Sequence, residues 1–263
     1  RRGPGPPAIG RPRPSSPGVT VELDYEPYDL GGLTSAAAGE AIRDADFVVL
    51  PTGSVEQHAE HLPLTVDTLR AEELSRELAE AAPDHGLTLV RLPTLPYGYS
   101  EHHMHAPGTV TLGADTYRAV LTEIGRSVAE HGADRLAVVN CHGGNREPLK
   151  LAADRIGRDT ATGVYPVHWT DFARERLVER FGEDWGHAGE HETSVIELFY
   201  PDLVRAAEKR PQEPHRPEVR QYSSFDEVTP GGGLGDPTDS DPEFVERVIA
   251  ETAADVVINP SEV

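Results

Sequence analysis

Residues 47–68 read FVVLPTGSVEQHAEHLPLTVDT. The run opens on the apolar residues Phe47-Val48-Val49-Leu50 and breaks at Pro51-Thr52-Gly53-Ser54, the composition of a strand followed by a turn. Glu56, His58, His61 and Asp67 then follow within a dozen residues. Glu56 and His58 are two apart, so on an extended chain their side chains leave the same side. Beyond Asp67, residues Ala71, Leu74, Leu78 and Ala81 recur at helical spacing. This predicts a helix with Glu72, Glu73 and Glu77 toward water and His85-Gly86 at its end. Strand, polar turn and helix form the repeating unit of an open α/β sheet, and such sheets carry their sites at the carboxyl ends of the strands.

The same unit recurs outward from this stretch. Ser35–Arg43 is Ala-rich and reads as a helix, and Leu87–Leu92 as a strand. Asp115 is placed to cap a helix carrying Tyr117, Val120, Leu121, Ile124 and Val128. Leu136-Ala137-Val138-Val139 is short and wholly apolar, as a covered parallel strand requires. The turn Asn140–Asn145 opens a further helix with Leu149, Ala152 and Ile156 inward. Val164–Trp169 reads as a strand, then a helix to about Phe181, another over Glu192–Phe199, and a closing helix around Phe244, Val245, Val248 and Ile249. The alternation predicts an α/β fold, a three-layer αβα sandwich with a mostly parallel central sheet. Residues 1–18, RRGPGPPAIGRPRPSSPG, are Pro-, Gly- and Arg-rich and read as a disordered arm. Val19–Leu23 reads as a short strand, and 19–263 as a single domain. The stretch 93–112, with His102, His103 and His105, reads as a long functional loop, and 209–241 as irregular.

Composition narrows the class. The 263 residues carry a formal net charge of -21, which disfavours nucleic acid and anionic membranes as partners. Lys150 and Lys209 are the only lysines, and the remaining cations are arginines. An acidic excess of this kind suggests a halophilic surface. The single cysteine, Cys141, permits no intramolecular disulfide, which fits a reducing compartment. There is no membrane-length apolar run, and Arg1-Arg2 is not followed by the apolar stretch of a secretory signal. These features predict a cytoplasmic protein.

The residues with chemistry to offer are Glu56, His58, Asp67, His142 and Glu192, each expected just after a strand or at the start of a helix facing the strand ends. Mixed carboxylate and imidazole donors suit Zn, Mn or Fe(II). Five protein donors exceed the three plus water of a catalytic zinc, and two divalent metal ions sharing Asp67 account for the number. The Gly-rich turn at 140–145 could instead cradle phosphate, but it lacks the spacing of a Walker loop or a dinucleotide fingerprint. Cys141, with no evident base beside it, reads as packing.

Motifs spread over roughly residues 45 to 200 resemble a known family. Gly53-Ser54-Val55-Glu56-Gln57-His58 with His61-Leu62-Pro63-Leu64 and Asp67-Thr68, then Asn140-Cys141-His142-Gly143-Gly144-Asn145, then His187-Ala188-Gly189-Glu190-His191-Glu192-Thr193-Ser194 are similar to the signatures of the creatininase family. The resemblance implies that Glu56, Asp67 and His142 hold one ion, and that His58, Asp67 and a further carboxylate hold the second. It implies a proton-transfer role for His187 and a substrate-stacking role for Trp169. It also implies substrate contacts in the loop holding Ser100 and His105, the latter in a His-x-Pro-Gly-Thr segment. Creatininase itself carries a metal-binding Glu where this chain has Gly144, so the further carboxylate is assigned to Glu192. The Gly-Gly form resembles formamide-hydrolysing and peptide-processing members instead.

The implied activity is a dinuclear metal-dependent amidohydrolase acting on the cyclic amide or formamide of a small molecule. The alternatives are a metal-dependent peptidase maturing a small precursor peptide, of the mycofactocin type, and a catalytically silent metal-binding protein. The resemblance also implies a homohexamer.

The charge generates the first prediction. If the -21 excess is a halophilic surface, the melting temperature climbs from low salt to molar KCl as self-repulsion is screened. Thermal unfolding followed across that range tests this, and a flat response counts against it.

Overall fold

Successive residues of a strand face opposite ways, so a wholly apolar strand must be covered on both sides. Strand β1 (Phe47–Thr52) is buried along its whole length, and its alternate residues enter different cores. Val48 and Leu50, with Val90, Leu136 and Val138, pack against Ile42, Tyr117, Leu121, Leu149 and Ala152. Phe47 and Val49, with Leu89, Ala137, Val139 and Val167, pack against Leu78, Ala79, Ala253 and Val256.

The computed structural model describes residues 25–212 and 224–258. The expected arm at 1–18 and the strand expected over Val19–Leu23 lie outside the described residues. In chain order come helix α1 (Ser35–Asp44), β1, α2 (Val66–Ala81), β2 (Leu89–Arg91), α3 (Ala114–Glu130), β3 (Arg135–Asn140), α4 (Arg146–Asp159) and β4 (Gly163–His168). Helices α5 (Trp169–Phe172), α6 (Arg174–Phe181), α7 (Glu190–Phe199) and α8 (Pro242–Ile258) follow. The four strands pair in parallel in the order β2-β1-β3-β4. Helices α1, α3 and α4 cover one face and α2 and α8 the other. Among the described residues no helix is long and apolar enough to cross a membrane.

This topology fixes where a site can form. The connection from β1 runs through α2 to β2 on one side, and that from β3 through α4 to β4 on the other. Neighbouring strands β1 and β3 thus send their chains in opposite directions, and that divergence leaves a crevice at their carboxyl ends.

Several expectations need correction. Glu73 does not face water: it is 3% exposed and accepts a hydrogen bond from the Tyr200 hydroxyl, because α7 and the chain after it cover that flank of α2. Helix α3 starts at Ala114 behind Gly113, so Asp115 is not its cap, and it pairs with Arg118 at 3.1 Å. Strand β4 stops at His168, and Trp169 begins α5. Helix α7 begins at Glu190, two residues earlier than expected, which sets Glu192 inside its first turn.

Gly53, between β1 and the site, allows α2 to approach. A Cβ there would stand 2.4 Å from the Thr68 nitrogen and 2.5 Å from the Asp67 carbonyl carbon. Both contacts are backbone, so relief requires moving α2. Gly53→Ala is therefore expected to cost about 1–3 kcal/mol, the range for overpacking, and to displace Asp67. A chemical denaturation midpoint unchanged from the parent chain would refute this.

Candidate functional site

The crevice gathers all five donors named from the sequence. Glu56 and His58 lie on the chain leaving β1, Asp67 in the first turn of α2, His142 just past β3, and Glu192 in the first turn of α7. Each is at most 6% exposed. The Asp67 carboxylate divides its oxygens. Oδ2 lies 3.0 Å from His142 Nδ1 and accepts from the Ser54 hydroxyl at 2.8 Å. Oδ1 faces His58 Nε2 at 3.6 Å. Glu192 Oε2 is 3.5 Å from His58 Nε2 and accepts from the Ala188 amide at 2.7 Å. Glu56 Oε2 lies 3.2 Å from His142 Nε2.

Backbone carbonyls orient three of the rings by accepting from one nitrogen of each. His58 Nδ1 lies 3.2 Å from the Glu56 carbonyl oxygen, to which it donates, so Nε2 is the atom that bears the second proton when the ring is charged and the lone pair when it is neutral. His142 Nε2 donates to the Tyr99 carbonyl at 2.9 Å, leaving Nδ1 toward Asp67. His187 Nε2 donates to the Gln57 carbonyl at 2.8 Å, leaving Nδ1 3.6 Å from Glu56 Oε1. Ala59 and Ala188, the residues after His58 and His187, both have φ of 52°. Left-handed backbone is unfavourable for alanine. It is held here by bonds from the Ala59 amide to Gln57 Oε1 at 2.9 Å and from the Ala188 amide to Glu192.

Buried carboxylates must be opposed by positive charge. Burial pushes the Glu56 and Asp67 carboxyls up, but the imidazoles beside them outweigh it and hold both below the usual range. Burial likewise disfavours charge on His58, yet Asp67 and Glu192 lift its pKa to about 9, and Glu56 with Asp67 lifts His142 well above the ordinary value. Both Glu56 carboxylate oxygens and His58 Nε2 are buried with no hydrogen-bond partner among the described residues. Unpartnered carboxylate oxygens beside an unpartnered imidazole nitrogen fit a divalent metal ion, which would take the place of the imidazole proton. Donor atoms of His58, Asp67 and Glu192 lie within 4.8 Å of one another, as do those of Glu56, His102 and His142, and those of Glu56, His58 and His187.

Around the donors the crevice opens into a cavity of about 870 Å³. His187 lines it, and burial together with the neighbouring His58 lowers its pKa to about 4. His103, a loop residue left unassigned from the sequence, brings Nε2 to 3.3 Å from Glu56 Oε1, and Gln57 Nε2 donates to its Nδ1 at 3.0 Å. The ring of Phe225, from the Gly-rich segment after 223, stands 4.5 Å from that of His103 and 5.0 Å from that of His187. The residues expected to contact substrate are placed otherwise. Trp169 is 3% exposed in an apolar core with Leu74, Leu177 and Val248 and does not line the cavity, because α5 turns it inward. Ser100 is fully buried, its Oγ 3.3 Å from His142 Nε2. His105 lies off the cavity, 3.8 Å from Asp226. The aromatic walls are Tyr99, Trp185 and Phe225. Cys141 packs in the same core as Trp169, its thiol pushed up to about 12 by burial.

Comparison with known proteins agrees with this geometry. The family model for creatininase, creatinine amidohydrolase, matches residues 32–258. A mycofactocin precursor peptide peptidase of Mycobacterium ulcerans (strain Agy99) is 34% identical over 242 residues, covering 87% of this chain and 90% of the relative. A creatinine amidohydrolase of Pseudomonas putida is 31% identical over 202 residues, covering 70% and 72%. Among solved structures, a manganese creatininase superposes with a TM-score of 0.77 over 89% of this chain and 98% of that one, at 24% identity, a likeness of fold.

The divided Asp67 carboxylate and the far-side placement of Glu192 generate a paired prediction. Asp67→Ala loses bound metal towards zero, since it removes an oxygen from each side of the cluster. Glu192→Gln keeps its fold but loses one ion selectively. A helix-end role for Glu192 alone would be worth about 0.3–1 kcal/mol and would leave metal content intact. Elemental analysis decides: two ions per chain in either variant sinks the corresponding assignment.

Proposed function

We propose that this chain, which belongs to the creatininase family, is a metal-dependent amidohydrolase that cleaves an amide bond of a peptide-sized substrate. It is a hydrolase acting on carbon–nitrogen bonds. The observation that carries the peptide reading is the reach of the cavity. It runs from Glu56 and Asp67 past Tyr99 and Trp185 to Arg118 and Leu151 on the outer helices. At about 870 Å³ it lies near the upper end of the roughly 300–1,000 Å³ range of small-molecule pockets, with more room than a small cyclic amide or formamide fills. The peptidase relatives also align over a larger share of both chains than the creatinine amidohydrolase does.

The departure at Gly144 weighs against creatinine itself as the substrate. A Cβ there would stand 2.3 Å from the Tyr99 carbonyl oxygen and 2.5 Å from His142 Nε2. The backbone leaves no room for the Glu that creatininase carries at this point, which supports the reading in which Glu192, 3.5 Å from His58, completes that side.

In this reading Glu56, His58, Asp67, His142 and Glu192 hold two divalent ions, with Zn, Mn and Fe(II) all suited to the donor set. Bound there, the ions supply Lewis acidity for the amide carbonyl and a nucleophile from water at neutral pH. His187 is the acid–base group. Its Nε2 proton is committed to the Gln57 carbonyl, so Nδ1 is the atom that takes up a proton and passes it to the leaving nitrogen. Burial keeps that imidazole neutral near pH 7. Such help is typically worth about 10²–10⁴-fold. Tyr99, Trp185 and Phe225 wall the substrate in and exclude water from one flank.

The test is a hydrolysis panel with metal-reconstituted protein: short peptides, a formamidopyrimidine and creatinine, with products identified by mass. Peptide cleavage that His187→Ala slows at least about 10²-fold is expected. Turnover of the formamide or creatinine without peptide cleavage would overturn the substrate class.

A further inference from the structure

We propose that Arg70 is a built-in counter-ion of the His58–Asp67–Glu192 group, which fixes its carboxylates and weakens its hold on a divalent cation relative to the Glu56–His142 side. The proposal rests on the metal-centre reading above. Arg70 is 1% exposed. Its Nη1 donates to Asp67 Oδ1 at 3.0 Å, to Glu192 Oε1, and to the Cys141 carbonyl at 3.1 Å. Its guanidinium carbon stands 5.9 Å from the centroid of the Trp169 ring, so that buried indole carries the cation rather than a substrate.

The placement is one-sided. Asp67 Oδ1, the oxygen that Arg70 engages, is the one facing His58. The oxygen toward His142 is held by Ser54 instead. Glu192 is engaged through Oε1, while Oε2 faces His58. A fixed positive charge acts on cation affinity twice in the same direction. It relieves repulsion between the two carboxylates when no cation is present, and it repels a cation that arrives. Removing the charge does not release the carboxylates, because the Ala188 amide still binds Glu192 Oε2 and the Ser54 hydroxyl still binds Asp67 Oδ2. The two sides of the cluster therefore fill in order, the Arg70 side last and most exchangeably.

The experiment titrates Mn²⁺ alone into the chelator-stripped full chain by calorimetry, with manganese electron paramagnetic resonance counting the ions. The parent chain is expected to show a tighter and a weaker site. Arg70→Met should tighten the weaker site by about tenfold or more and leave the tighter one within about threefold. Arg70→Lys, which keeps the charge, should leave both within about threefold of the parent. A weaker site that is unchanged or loosened in Arg70→Met, or equal tightening of both sites, overturns the counter-ion role. Should Arg70→Met not fold by circular dichroism, the lysine variant decides, and a tightened weaker site in it refutes the proposal. A parent chain that binds no Mn²⁺ removes the metal-centre reading as well. Two ions in the parent with Arg70→Met indifferent removes Arg70 alone.

Discussion

Three carboxylates, Glu56, Asp67 and Glu192, are buried together at the carboxyl edge of a parallel sheet. Carboxylates at that density stay ionised away from water only where positive charge opposes them. Most of the local structure answers that requirement. The imidazoles of His58 and His142, both with raised pKa, set positive charge against the carboxylates, and a backbone carbonyl holds one nitrogen of each ring. The Arg70 guanidinium is driven fully into the interior. Two alanines accept left-handed backbone beside the site, strain that a chain sustains only where its surroundings over-determine the conformation.

The sheet makes such a concentration possible. Covered on both faces, it gives each strand a rigid position, and the divergence of the chain after β1 and β3 leaves their ends uncovered by a direct connection. Donors from four separate stretches meet there without any one stretch having to fold around the site. Asp67 enters from α2 because Gly53 lets that helix come into van der Waals range of the turn. Glu192 enters from α7, which packs Val195 beside Leu74 of α2 and Val248 of α8. The donors are thus placed by the apolar cores, and the polar network adjusts the last ångström.

What could be read from the sequence follows from this division of labour. The strands were legible because a doubly covered strand must be wholly apolar, as in Val48–Leu50 and Leu136–Val139. The donors were legible because they sit within a few residues of the strand ends or in the first turn of a helix, so motif spacing reflects spatial proximity. Contacts across the core were not legible. Trp169 follows a strand and invites a substrate-facing reading, but whether it turns outward depends on the helix that starts at it. Arg70 lies one turn into an amphipathic helix, where arginine ordinarily means solvent. Its burial depends on Glu192, which is 122 residues distant. Glu73 was misplaced for the same reason, its cover coming from Tyr200. His103 offered only a weak signal, a histidine-rich loop without ligand spacing.

Gly144 and Glu192 bound where a carboxylate can enter the cluster. The turn after β3 brings the 144 backbone so close to the Tyr99 carbonyl and the His142 ring that no side chain fits. On the reading proposed above, the carboxylate that completes the His58 side comes from the opposite wall. An element whose first turn faces the crevice is suited to supply it, since a carboxylate there also satisfies the helix amino terminus. Helix α7 meets that condition: Glu192 Oε2 accepts from the Ala188 amide just ahead of the helix while facing His58. Glu192 beside Asp67 adds repulsion at one side of the cluster. Arg70 stands at the junction of those two carboxylates, where one fixed cation offsets that repulsion.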